Sequence, residues 1–256
     1  MPFHISQPSH QSLFIEMKAN GHTIACGTAF VARISVGVDF LLTNRHNVTG
    51  RDQETGAPLC KRTIAIPDSL TVWHNARSEL GRFVQVDVPL CDGNEPRWIE
   101  HPELGPTADV VALPIAKRDD ICLYPYKVES LVHMQIQPAQ RVSVIGFPFG
   151  ERTGPSFAVW ATGFIASEPE IDHGGRPVFL IDCRSRKGQS GSPVIRHRDN
   201  NAEVPLSNGL EEIEMRSDFL GMYSGRINAE SDLGVVWKAH VISELLEHAN
   251  VVTGAV

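Results

Sequence analysis

Gly188-Gln189-Ser190-Gly191-Ser192-Pro193 is the stretch on which the reading of this chain turns. Small residues on both sides of Ser190 leave its hydroxyl open to an approaching carbonyl and let the backbone come close to a ligand. A serine hydroxyl is a poor nucleophile until an imidazole removes its proton and a carboxylate fixes the tautomer of that imidazole. Both partners precede it. Phe40-Leu41-Leu42-Thr43-Asn44-Arg45-His46 runs an apolar strand pattern into a histidine, and Asp109 opens the apolar run Val110-Val111-Ala112-Leu113. Base, acid and nucleophile occur in the order His, Asp, Ser.

That order and spacing exclude other hydrolytic arrangements. A G-x-S-x-G nucleophile elbow needs Gly at 192 and the order Ser, Asp, His. A thiol peptidase of the papain type wants a Cys upstream of its His at a helix start, whereas Cys26 lies in a strand pattern. No H-E-x-x-H spacing is present, so neither a metal nor another cofactor is called for. Of the 11 histidines, His46 alone follows an apolar strand ending in Thr-Asn. His4, His10, His173, His197 and His248 sit in polar surroundings and read as surface residues. Asp87, Asp119 and Asp120 do not begin a strand in the right place, and Ser192 is expected to enter the strand after the turn.

On these motifs the chain resembles the chymotrypsin-like (trypsin-like) serine peptidases, and among them the bacterial, disulfide-free branch that includes the HtrA-type peptidases. Gly27-Thr28-Ala29-Phe30-Val31-Ala32 leads to the His46 block as in that family, and the turn at Ser190 is of its G-x-S-G-G-P type, with Ser192 in place of the second glycine. Gly221-Met222-Tyr223-Ser224-Gly225 and Gly234-Val235-Val236-Trp237 look like the strands that wall the family's specificity pocket. The likeness runs from Ile24 to His248.

The resemblance implies an all-β fold of two six-stranded antiparallel Greek-key barrels with a C-terminal α-helix. Residues 1–122 would form the barrel carrying His46 and Asp109, and residues 123–256 the barrel carrying Ser190, plus the helix. It implies a serine endopeptidase acting on proteins or peptides through an acyl-enzyme, with Ser190 as nucleophile, His46 as base and Asp109 as the orienting carboxylate. The oxyanion hole would lie in the Gly188-Gln189-Ser190 turn, through the N–H groups of Gly188 and Ser190. Arg184, Tyr223, Ser224 and Gly225 would bind substrate. With Arg184 at the pocket base an acidic residue is favoured before the cleaved bond; with Arg184 turned to solvent, a small or aliphatic one. Members activated by cleavage carry an Asp immediately before the nucleophile, which pairs with a new N-terminus. Gln189 stands there and cannot form that ion pair, so control falls to substrate choice, a regulatory partner protein or loop order. The alternative in another class is a peptidase-like domain that binds peptides or a partner without turnover.

Composition bounds the rest. A chain of 256 residues, 42% hydrophobic, can bury one or two sizeable cores. Its net charge of -7, with no basic run beyond Arg184 to Lys187, disfavours nucleic acid as a partner. No apolar stretch approaches the ~18 residues that span a bilayer. Met1-Pro2-Phe3-His4-Ile5 lacks the basic and apolar segments of a secretory signal, so a cytoplasmic location is expected. The five cysteines, Cys26, Cys60, Cys91, Cys122 and Cys183, show no C-x-x-C spacing and read as reduced thiols. Where relatives carry the half-cystine partner of Cys26, this chain has Asn47, within an Asn47-Val48-Thr49 sequon.

Apolar or alternating runs are read as strands at 23–32, 38–42, 62–66, 83–88, 110–113, 141–147, 157–164, 178–182, 192–195, 218–223 and 234–238. Only 241–248 shows helical spacing, with its apolar face at 241, 242, 245 and 246. The crossing between halves is placed at 121–132. Long connections at 89–106 and 197–217, the latter acidic, are left as surface or partner-binding loops.

Overall fold

The computed structural model describes residues 5–34, 37–60, 64–128, 136–197, 204–205, 211–212, 217–228 and 230–254. The first half holds six strands of four or more residues: β1 (Ser12–Ala19), β2 (His22–Arg33), β3 (Phe40–Thr43), β4 (Ser69–Ala76), β5 (Phe83–Pro89) and β6 (Val111–Pro114). With the two-residue strands Ile99–Glu100, Ile121–Cys122 and Tyr126–Lys127 they form one nine-stranded sheet. The second half closes a six-stranded barrel from β7 (Arg141–Gly146), β8 (Val159–Ile165), β9 (Val178–Asp182), β10 (Pro193–His197), β11 (Ser217–Arg226) and β12 (Leu233–Lys238), in the order β7-β8-β9-β12-β11-β10. Helices α1 (Gln7–Gln11), α2 (Arg45–Thr49) and α3 (Ala239–Val252) complete the framework.

The continuous apolar runs have a geometric cause. Side chains alternate across a strand, and β3, residues 111–113 of β6 and residues 27–32 of β2 are buried on both faces. Ala29, Val31, Leu41, Val111 and Leu113 point into the first core with Ile15, Met17, Leu70 and Val72. Phe30, Phe40, Leu42, Val110 and Ala112 point the other way, into a core shared with Phe219, Trp237 and the apolar face of α3, Val241, Ile242, Leu245 and Leu246. A third core, with Val144, Phe179, Ile181, Val194, Leu220 and Val236, fills the barrel.

The chain ends lock the halves together. Trp160 donates to Ser9 Oγ (2.8 Å) and Ser12 Oγ to the Ile145 carbonyl (2.8 Å). From the other end Asn250 Oδ1 accepts from Val38 N–H (3.0 Å), and buried His101 pairs through Nε2 with Glu244 (3.0 Å).

Several expectations need correction. β1 and β4 were not anticipated. The expected strand at 62–66 lies partly outside the described residues, and 64–66 form no strand. Tyr126–Lys127 pairs in parallel with Ala32 and Arg33 of β2, so the first sheet continues past the expected division at 122. His10 is buried and stacks on Tyr124 (ring centroids 4.4 Å apart) instead of lying on the surface. Most of 197–217 lies outside the described residues; within it Val204–Pro205 pairs with Glu211–Glu212. Asn47 is buried, so its sequon presents no accessible side chain.

Candidate active site

The site forms where the two halves meet. β3 delivers Thr43 and Asn44 to the start of α2, whose second residue is His46. Asn44 does not cap this helix with its side chain; its amide donates instead to the Asp109 carbonyl (2.6 Å), tying α2 to the segment before β6. Asp109 is 1% exposed, and its carboxylate accepts three hydrogen bonds. Oδ1 takes the His46 backbone N–H (2.9 Å); Oδ2 takes His46 Nδ1–H (2.7 Å) and the Ser224 hydroxyl (2.5 Å). With its proton held on Nδ1, a neutral imidazole presents a lone pair at Nε2. Burial disfavours the His46 imidazolium, but the Asp109 charge and hydrogen bond, with a smaller contribution from Asp52, outweigh it and raise the pKa above the ordinary 6.5.

Ser190 lies on a turn whose shape only glycine allows at two positions. Gly188 has φ +95° and Gly191 φ +85°, and a Cβ would lie 2.2 Å from the Phe147 carbonyl oxygen at the first and 2.1 Å from the Thr28 carbonyl oxygen at the second. The turn is fastened to β2: Thr28 N–H donates to the Ser190 carbonyl (3.0 Å), Thr28 Oγ1 to the Gly188 carbonyl (2.8 Å), and Asn47 Nδ2 to Thr43 Oγ1 (2.9 Å) and the Ser190 carbonyl (3.3 Å). The Ser190 hydroxyl donates to the Ser224 carbonyl (3.1 Å) rather than to His46. His46, Asp109, Ser190 and Ser224 nonetheless line one cleft of about 700 Å³, along with Asp52, Arg176, Lys187, Gly225 and Arg226.

Of the three N–H groups in the turn, that of Gln189 is used by the Arg186 carbonyl (3.2 Å), while those of Gly188 and Ser190 have no acceptor among the described residues. Gln189 is buried; its Oε1 accepts from Arg186 N–H (2.7 Å) and its Nε2 has no partner.

The expected substrate pocket is rearranged. Arg184 is exposed and absent from the cleft wall, because the residue turned inward is its neighbour Ser185, 0% exposed. Tyr223 is also buried, its hydroxyl bonded to that of Ser185. Its ring fills the space beside Ile181 and Gly234, where a Cβ on Gly234 would lie 2.6 Å from Tyr223 Cε2. Burial pushes the phenol pKa up to about 12. Ser224 lines the cleft and also holds Asp109 through its hydroxyl, and Gly225 lies beside it in the cleft wall. Thr28, Asn44 and Asn47 were missed as supports; only their place beside His46 and in the strand before it hinted at them. Among the described residues no group of three or more His, Cys, Asp or Glu side chains is arranged to hold a metal, and no helix is long and apolar enough to cross a membrane.

Comparison with solved structures shows the same fold. The chain is 18% identical to the Rv3671c protease from M. tuberculosis in its active form, covering 94% of this chain and 81% of that one (TM-score 0.52). It is 12% identical to the serine endoprotease from Yersinia pestis, covering 98% and 70% (TM-score 0.54), and 14% identical to the HtrA-type protease AlgW with tripeptide, covering 95% and 62% (TM-score 0.52). No curated protein matches the sequence. A family model described as a trypsin-like peptidase domain matches residues 27–202, the span that contains His46, Asp109 and Ser190. The chain belongs to the trypsin-like peptidase family.

Proposed function

We propose that this protein is a serine endopeptidase that cleaves peptide bonds through an acyl-enzyme on Ser190. The observation that carries the reading is the His46–Asp109 pair, which leaves Nε2 open to the cleft that holds the Ser190 hydroxyl. Rotation about the Ser190 Cα–Cβ bond moves Oγ from the Ser224 carbonyl to Nε2. His46 then takes the hydroxyl proton as Oγ attacks the substrate carbonyl, and Asp109 stabilises the imidazolium that forms. The unpaired N–H groups of Gly188 and Ser190 receive the negative oxygen of the tetrahedral intermediate; Gln189 contributes by holding the turn through Arg186, its own N–H being used. His46 gives its proton to the departing amine, and water repeats the sequence on the acyl-enzyme.

Because Gln189 is satisfied on Oε1 by a neighbouring backbone N–H, the turn depends on no released N-terminus. The five cysteines form no disulfide with one another, which suits a reducing compartment such as the cytoplasm. A fluorophosphonate probe tests the reading: label on Ser190 that disappears in Ser190→Ala and falls strongly in His46→Ala is expected. Undiminished labelling of Ser190→Ala would overturn it, and peptide binding without any labelling would favour a domain that binds without turnover.

A further inference from the structure

Phe149 has φ 56° and ψ 16°, a left-handed backbone that a bulky side chain adopts only at a cost. Burial does not compensate, since the residue is 66% exposed. What the conformation achieves is a hydrogen bond: Phe149 N–H donates to the Lys187 carbonyl at 2.6 Å. The 187–188 peptide is trans, so its C=O and N–H project from opposite edges of one plane. The N–H on the far edge belongs to Gly188, a buried residue, and finds no acceptor among the described residues. Buried backbone donors are almost always paired, and a substrate oxygen in the cleft would pair this one.

We propose that Phe149 is a positioning residue for the oxyanion hole: its backbone N–H holds the Lys187 carbonyl back and so aims the Gly188 N–H at the carbonyl under attack. The proposal rests on Ser190 being the nucleophile. The loop is built to keep Phe149 in place. Gly150 N–H returns to the Phe147 carbonyl and Glu151 N–H to the Pro148 carbonyl, each at 2.9 Å. Phe147 N–H is held by Thr28 Oγ1 (3.2 Å), the hydroxyl that also fixes the Gly188 carbonyl. Three residues after Phe149, the Arg152 guanidinium sits over the rings of Phe14 (4.7 Å) and Trp73 (4.4 Å), both on the other half of the molecule. The orientation of one peptide in the second half is thereby tied to the packing of the first.

Three variants test this. Phe149→Pro removes the N–H and cannot adopt the positive φ; Phe149→Gly keeps the N–H and relaxes the strain; replacement of the Phe149 amide by an ester removes the donor while keeping the side chain, and weakens the Pro148 carbonyl that accepts from Glu151 N–H. The maximal rate of Ser190 inactivation by a fluorophosphonate is expected to be ~10²-fold lower in the proline and ester variants than in Phe149→Gly, with the half-saturating probe concentration within about threefold, as a defect in transition-state rather than ground-state binding requires. Crystal structures would show the 187–188 peptide turned in the first two and retained in Phe149→Gly. Loss of rate in Phe149→Gly equal to that in the ester, or an ester variant with unchanged rate and peptide orientation, would overturn the proposal. If Phe149→Pro does not fold, the ester decides alone. If the parent protein is not labelled at all, the peptidase reading fails, while peptide orientation in the ester variant still settles the positioning role.

Discussion

Asp109→Asn is the sharpest probe of the His46–Asp109 pair, because every group facing the Asp109 carboxylate is a donor: His46 N–H, His46 Nδ1–H and Ser224 Oγ–H. An amide supplies one acceptor oxygen and one NH₂. If the oxygen replaces Oδ2, the NH₂ confronts the His46 backbone N–H. If the NH₂ replaces Oδ2, it confronts Nδ1, which must then give up its proton to Nε2, the atom needed as base. The first arrangement costs about 1–3 kcal/mol of stability through a mismatched buried donor. The second removes the base, and a wrong tautomer lowers turnover by about 10³- to 10⁴-fold, or about 4–5 kcal/mol of transition-state stabilisation. The charge matters as well. Asp109 outweighs burial in raising the His46 pKa, and the reaction uses neutral imidazole, so the parent's rate should rise with pH through a midpoint above 6.5. Without the carboxylate, burial is opposed only by the smaller contribution of Asp52, and the midpoint should fall below that value. Fluorophosphonate inactivation rates across pH 5 to 9 provide the assay without a known substrate. Parent-like rates in Asp109→Asn, or superimposable pH profiles, would refute the assigned role.

Three further outcomes are expected. Because Tyr223 fills the space beside Gly234 and Arg184 faces solvent, a peptide library should be cleaved after small residues, with Tyr223→Ala admitting larger ones and Arg184→Ala leaving the preference alone; an acidic preference abolished by Arg184→Ala would show the pocket misread. Burial first, then the Arg118 charge, lowers the His74 pKa to about 4 from 6.5. The unfolded chain therefore binds the extra proton first, and stability present above pH 6.5 should be lost as pH falls towards 4, by about 3 kcal/mol. Denaturant unfolding at the two ends of that range should show the loss in the parent and not in His74→Asn; equal slopes would contradict the assignment. Gly191→Ala places a methyl 2.1 Å from the Thr28 carbonyl oxygen at φ +85°, so a loss of about 2–4 kcal/mol in thermal unfolding, together with Ser190 labelling, is expected.

The sequence alone determined the parts whose cause is local. Ser190 was legible because a tight turn with positive φ at Gly188 and Gly191 demands glycine there. His46 and Asp109 were legible because each adjoins a strand buried on both faces, which reads as a continuous apolar run. α3 was legible by its four inward apolar residues, although it extends beyond 241–248 at both ends. What the tertiary structure decided are contacts between residues far apart in the chain. β1 and β4 carry Glu16, Lys18, Trp73, His74 and Asn75 among their apolar residues, and became strands by pairing with each other and with β2 and β5. The sequence reading put Arg184 at the pocket base; which of two adjacent side chains turns inward is set by tertiary packing, and it is Ser185. Ser224 read only as a pocket wall; folding keeps it in the cleft and also sets its hydroxyl on Asp109, 115 residues away. Phe149 gave no signal at all, since a left-handed phenylalanine is not a sequence preference but a conformation imposed by the turn it holds. Local backbone chemistry and strand burial are written in short stretches of sequence, whereas the partner of a buried polar group depends on where the whole chain brings its distant segments together.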